Sequence, residues 1–290
     1  MKVKRVFFGF KRKKKEKFDF SKVFEKVVRN EIKLTAGGAP ASPDASKIGG
    51  RPFLPKDFVW PYFASEDGEK PLSFLCQVNM AEVKPYDSEN LLPEKGLLLF
   101  FYEAETQPWG YDPEDNSAFR VCYYEETAGF APFEIPTELA ADLRPAERAL
   151  VFEKRASYPD FEEVEFHAEV AEGVYYEDYV SSLEELGKDM EEDTHKLLGY
   201  ADIMQNEMLT ECESVSRGNS CGGYEELEPE EEADIQKCAK EWILLLQLST
   251  LEGEEYELMW GDCGRLYFYI RKEDLKKKNF ENARLVLQCG

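Results

Sequence analysis

Hydrophobic positions along the chain fall into strand-like and helix-like patterns. Strands are expected at 72–80, 96–102, 118–124, 242–249, 265–270 and 284–289, where apolar and aromatic residues run together. Residues 96–102, Gly-Leu-Leu-Leu-Phe-Phe-Tyr, are apolar on both faces, as in a central strand of a covered sheet. Residues 164–170 alternate and predict a half-exposed strand, while 174–181 suit strand or loop. The three- and four-residue spacing of Val23, Phe24, Val27, Val28 and Ile32 predicts a helix over 18–34. Further helices are expected over 183–192, over 230–240 after Pro229, over 274–280, and over 137–150 with Pro145 interrupting it.

The polar stretches differ in kind. Residues 35–46 read as an extended loop. Residues 47–61 interleave Gly49, Gly50, Pro52, Pro55 and Pro61 with Phe53, Phe58 and Trp60, which predicts a shaped loop packed on the core. The polar, glycine-bearing text at 211–226 is the best candidate for a mobile insertion or a lobe boundary.

One pattern occurs twice. Phe74-Leu75-Cys76-Gln77-Val78-Asn79 matches Leu244-Leu245-Leu246-Gln247-Leu248-Ser249. Each is followed by a glycine, Gly96 or Gly264, that opens an aromatic strand. Upstream, Lys47-Ile48-Gly49-Gly50 resembles Lys196-Leu197-Leu198-Gly199. Two diverged copies of one βα unit, at about 35–125 and 193–290, account for the echo. Copies of this kind are expected to share one core. A buried glutamine at the same place in each needs hydrogen-bond partners, and the backbone of the Gly-rich loop is the obvious source.

Composition narrows the function classes. The net charge is −23, yet residues 1–17 hold nine lysines and arginines against Glu16 alone. The acidic body disfavours nucleic acid and anionic membranes, and the basic leader reads first as a solvated or self-satisfied charge cluster. Seven cysteines without a C-x-x-C pair suit reduced thiols. No apolar run approaches the length of a membrane span, so the cytoplasm is the expected compartment.

The ordered set of motifs resembles the YwqG-like bacterial proteins, a family of unknown function. The marks are 47–52 with Trp60-Pro61, Leu75–Asn79 and 96–102 in the first half. In the second they are His195–Tyr200 with Gln205, Leu245–Leu248, and Trp260-Gly261-Asp262-Cys263-Gly264 leading into Tyr267–Ile270, followed by Asp274-Leu275 and Phe280. The resemblance spans about 20–290. It implies an α+β fold: internally duplicated βα units forming one mixed, largely antiparallel sheet core with peripheral helices, a single domain over 18–290 behind the leader. It implies no established activity. Some relatives lie near toxin–immunity genes, which suggests an immunity or stress context. The family pattern would have glycine at Leu198, proline at Ala201 and an acid at Ser249.

Candidate chemistry is sparse. His195 reads first as a turn-capping side chain and second as a general base or ligand near Asp262. Asp262, between two glycines, reads first as a turn-holding Asx residue. Trp260 is a core lid or a stacking surface. Cys212, Cys221 and His195 lack zinc spacing, and no phosphate-binding or nucleophile-elbow motif occurs, so neither metal nor cofactor is expected. The leading expectation is a non-enzymatic module that binds another protein. The alternative is a small-ligand-binding protein or hydrolase, with a pocket between the copies built from His195, Gln77, Gln247, Trp260 and Asp262.

Overall fold

Ten strands form one sheet in the computed structural model, which describes residues 18–65, 68–168, 174–188, 194–222, 227–252 and 257–290. The basic leader lies outside the described residues. In chain order the strands are β1 (Arg29–Ala36), β2 (Lys47–Ile48), β3 (Ser73–Asn79), β4 (Leu97–Tyr102), β5 (Phe119–Tyr124), β6 (Arg148–Ser157), β7 (His195–Leu198), β8 (Trp242–Ser249), β9 (Arg265–Arg271) and β10 (Arg284–Gln288). Their order across the sheet is β10-β9-β8-β7-β1-β6-β2-β3-β4-β5. Every pairing is antiparallel, so the described sheet is antiparallel throughout instead of mixed. The crossover connections that parallel neighbours require are not used between these strands.

A central pair, β1 and β6, separates two four-stranded halves. The sheet curls until its halves face each other. Phe100 on β4 and Phe268 on β9 stand seven strand positions apart, roughly 30 Å in a flat sheet, yet their ring centroids are 5.1 Å apart. Leu98 and Phe100 from one half, Leu246 and Phe268 from the other, and Ile32 and Leu34 from β1 share this inner core. Trp260 belongs to it too, edge-on to Tyr102 at 5.7 Å.

The two outer faces are covered differently. Over β3 and β4 the cover is the proline-rich 47–61 loop, whose Leu54 and Trp60 pack with Phe74, Leu99 and Phe101. Over β8, β9 and β10 it is helical: Leu209 and Cys212 of α3 (Leu209–Ser216) and Ala239 of α4 (Pro229–Ala239) pack on Trp242, Tyr267 and Val286. A third cluster joins α1 (Ser21–Val27) to α2 (Tyr176–Glu185) through Phe20, Phe24, Tyr179 and Leu183. A short α5 (Lys272–Lys277) follows β9.

Several expected elements are corrected. The helix expected over 18–34 ends at Val27, where Val28 turns to ψ 132°, and 29–36 is the strand β1. Pairing on both edges, with β6 and β7, outweighs the helical spacing. The helix expected over 137–150 is a 3-10 turn at Ala141–Leu143 followed by β6. Charged residues on both faces hid β6 from pattern reading. Residues 164–167 form one helical turn, not a strand, and 174–181 run into α2; residues 169–170 and 189–192 of those expectations lie outside the described residues. The expected mobile insertion contains α3, whose Cys212, Glu213, Ser214 and Val215 are buried; 223–226 lie outside the described residues.

Candidate functional site

The tightest polar arrangement forms where β7 ends. β7 lies between β1 and β8, with Lys196 opposite Lys33 on one side and Gln247 on the other. Leu198 and Gly199 then adopt φ of 59° and 73°, a left-handed turn. A Cβ at Gly199 would stand 2.7 Å from both the Glu31 Cβ and the Ser157 Oγ, so glycine is required there. The turn carries Asp202 back over Lys196.

Asp202 is held from several sides. Its N–H donates to Gln247 Oε1 at 2.9 Å, and Gln247 Nε2 donates to Asp202 Oδ2 and to the Thr194 carbonyl, both at 2.9 Å. The Asp202 carbonyl accepts from Arg265 Nη1 at 2.8 Å and from the Tyr267 hydroxyl at 2.6 Å. Lys196 Nζ, on a side chain 1% exposed, lies 2.8 Å from Asp202 Oδ2 and 3.1 Å from Glu31 Oε2. Burial opposes the charge on Asp202, but Lys196, Lys188 and the Gln247 amide outweigh it and hold the carboxyl below its ordinary range. Burial likewise opposes the charge on Lys196, and its two carboxylates still raise its pKa. Lys196 and Asp202 are therefore ionic at neutral pH.

Asp202 and Glu31 also line a cavity of about 690 Å3 on the outer face. Its other charged walls are Asp160, Arg155, Lys188 and Arg265, and Tyr158, Tyr176 and Tyr179 close one side. Burial pushes Asp160 up to about 6. Three carboxylates and three cations thus face one space that also has an aromatic wall.

The first half repeats the supporting contacts without the cavity. Lys47 Nζ bonds Glu147 Oε2 at 2.6 Å. Gln77 Nε2 donates to the carbonyls of Pro43 and Ala45, and Gln77 Oε1 accepts from the Phe53 N–H. Ser46 Oγ accepts from the Asn79 N–H as His195 Nδ1 accepts from the Ser249 N–H. The register shifts at Phe74/Cys76 in β3 and at Leu244/Leu246 in β8. Counting from Lys47 and Lys196, Phe53 occupies the place of Asp202.

Of the five residues singled out in the sequence, Gln247 touches two residues that line the cavity, Asp202 and Thr194. His195 follows Thr194 and is tied to Ser249. Gln77 is buried in the other half. Trp260 is fully buried and donates to the Ser249 carbonyl at 3.0 Å. Asp262 is exposed on the turn before β9, its carbonyl accepting from Gly290 N–H. A second cavity, between the halves, is lined by none of the five. Glu31, Lys196, Asp202 and Arg265 were not singled out as site residues. The readable signal was Asp202 standing where the first half has Phe53.

The Domain of unknown function (DUF1963) family model matches residues 46–289. The chain belongs to this family. YwqG-like proteins are members of it, as the motif resemblance implied. The DUF1963 match takes in β2–β10 with the Lys196–Asp202 cluster and leaves α1 and β1, hence Glu31, before its start. A comparison with curated proteins found no match. Among the described residues no helix is long and apolar enough to cross a membrane.

Proposed function

We propose that this DUF1963 protein binds a small polar ligand in the cavity beside Lys196 and Asp202. The two halves are read as copies of one unit, at about 35–125 and 193–290, within one domain over 18–290. The repeated Lys–Glu pair, the repeated glutamine clamp and the matching register shifts support that reading. The carrying observation is what differs. Phe53, Leu97 and Leu99 in the first half correspond to Asp202, Arg265 and Tyr267 in the second. One outer face is filled by aromatic residues, and the other opens into a space lined by both signs of charge.

Balanced charges disfavour a polyanion or a bare cation and suit a zwitterion, such as a free amino acid or short peptide, with its carbon skeleton against Tyr176 and Tyr179. Gln247 acts by positioning Asp202, and His195 by fixing the strand ends next to Thr194. Gln77 and Trp260 serve the fold in this reading, and Asp262 marks the turn before β9. Ligand-observed NMR with free amino acids, dipeptides and monosaccharides tests it. Zwitterions should bind, and Arg265→Leu should weaken them roughly 10- to 100-fold, the worth of one charge-assisted hydrogen bond. No binding by any of these compounds, or binding indifferent to both Arg265→Leu and Lys188→Met, overturns it.

A second reading, a protein-interaction module, is favoured by a separate feature: the lysine-rimmed cleft between the halves.

A further inference from the structure

The second cavity, about 650 Å3, opens where the two halves meet. Its floor is apolar: Leu92, Ile243 and Leu275 are each at most 6% exposed, and Leu91 stands at the rim with 37% of its surface in solvent. Five lysines edge it, Lys84, Lys95, Lys272, Lys276 and Lys278, against the carboxylates of Glu94 and Glu125. Such a rim runs against the charge of the chain, which is −23.

The lysines are not equivalent. Lys84 is paired with Asp87 and Glu94, Lys278 with Glu125, and Lys95 with Glu126. Among the described residues Lys272 Nζ donates to the Lys240 carbonyl at 2.8 Å, and neither Lys272 nor Lys276 has a carboxylate partner. Both are exposed, on successive turns of α5. The cleft continues into a recess of about 100 Å3 that shares Leu91, Ile243 and Lys272 and adds Arg29, Glu89 and the Leu198–Gly199 turn. Lys272 and Lys276 are therefore the two rim cations left without a carboxylate partner among the described residues, beside an apolar floor at the junction of the halves.

We propose that this cleft docks an acidic, leucine-bearing peptide segment of a partner protein. The proposal rests on the protein-interaction reading and is independent of the outer-face cavity. Carboxylates spaced along an extended or helical segment would meet Lys272 and Lys276, while an apolar side chain covers Ile243 and Leu275. At physiological salt, charges beyond about 8 Å are largely screened, so the distant acidic surface does not cancel the local rim. The concave apolar floor suits a side chain better than a phosphate backbone, which would need a broader run of cations.

Fluorescence anisotropy with the full chain tests the proposal. The probe is a labelled synthetic peptide alternating glutamate pairs with leucine; its lysine-for-glutamate counterpart and phosphatidylserine vesicles are the controls. The acidic peptide should bind, weaken with added salt, and weaken roughly ten-fold or more in the double variant Lys272→Glu/Lys276→Glu. Both positions lie on the surface of α5, so the variant should keep the wild-type melting temperature. Leu91→Ser should weaken binding without changing its salt dependence, and Arg265→Leu, in the other cavity, should leave it unchanged. Acidic-peptide binding that survives the charge reversal overturns the cleft while leaving a protein-interaction role at another surface. Absence of binding, equal binding of the lysine peptide, or binding to the vesicles alone overturns the proposal outright.

Discussion

Lys196 and Asp202 face each other at 2.8 Å, with Glu31 on the other side of the same ammonium at 3.1 Å. The lysine is 1% exposed, while Asp202 keeps 22% of its side chain accessible. One buried cation thus ties the central strand β1 to the turn that frames the cavity. Removing that cation should be far worse than removing one of its carboxylates. Lys196→Met leaves two carboxylates at the site and should cost about 3–5 kcal/mol in urea unfolding. Asp202→Asn leaves Lys196 with Glu31 and should cost clearly less. Equal losses would mean that the cluster does not behave as an ion pair.

Gln77 and Gln247 should separate fold from function. Each clamps backbone groups from inside the core, so Gln77→Leu and Gln247→Leu should each destabilise by about 1–3 kcal/mol. Only Gln247 touches Asp202. If zwitterions bind as proposed, Gln247→Leu should weaken them and Gln77→Leu should not, as titration of the two variants would show.

Stability should rise as pH falls from 8 to about 6.5. Burial pushes Glu163 up to about 7 and Glu211 up to about 8. Arg29 and Lys196 near Glu163 oppose the rise without cancelling it, and Glu207 adds to it at Glu211. Both folded-state values exceed those of the unfolded chain, so the folded state holds more protons across this window and loses stability as they leave. His167 works oppositely. Burial pushes it down to about 3, so its cost begins only below about 6.5, where the unfolded imidazole charges. The melting temperature across this window checks the sign, and Glu163→Gln should flatten the slope. A melting temperature that increases from pH 6.5 to 8 would contradict the assignment.

Leu198 sets two magnitudes against each other. Its φ of 59° strains a residue with a Cβ by about 1–2 kcal/mol. Its side chain is 1% exposed in the inner core, and deleting it should cost about 2–5 kcal/mol. Leu198→Gly should therefore destabilise on balance, although glycine relieves the turn. Gly199→Ala should be worse than its size suggests, because the added carbon meets Glu31 and Ser157 at 2.7 Å. Thermal denaturation of the two variants measures both.

The strands with continuous apolar or aromatic runs were readable. Their apolar runs, 242–249 above all, leave little choice of environment, and the structure keeps them within a residue or two. β1 and β6 were not readable. Arg148–Ser157 carries charges on both faces; Arg29–Ala36 alternates, with Arg29, Glu31 and Lys33 on one face and Ile32 and Leu34 on the other, but Ile32 also continues the helical spacing of Val23, Phe24, Val27 and Val28. They become strands because their edges are filled by β7, by β2 and by each other. That requirement is long-range: it leaves no local pattern in β6 and decides between two competing patterns in β1.

The candidate site divides the same way. By itself the sequence determined the two glutamines, the two lysines upstream of them and the left-handed freedom at Gly49 and Gly50, because local backbone geometry and hydrogen-bond demand act over a few residues. Only the tertiary structure decided that Glu31, more than 160 residues from Lys196 in the chain, is its counter-ion, and that Asp202 and Arg265 line a cavity with it. The charges meet because β7 pairs beside β1 and the turn after it returns Asp202 over Lys196, and the spacing of residues along a chain does not encode which distant strand becomes the neighbour.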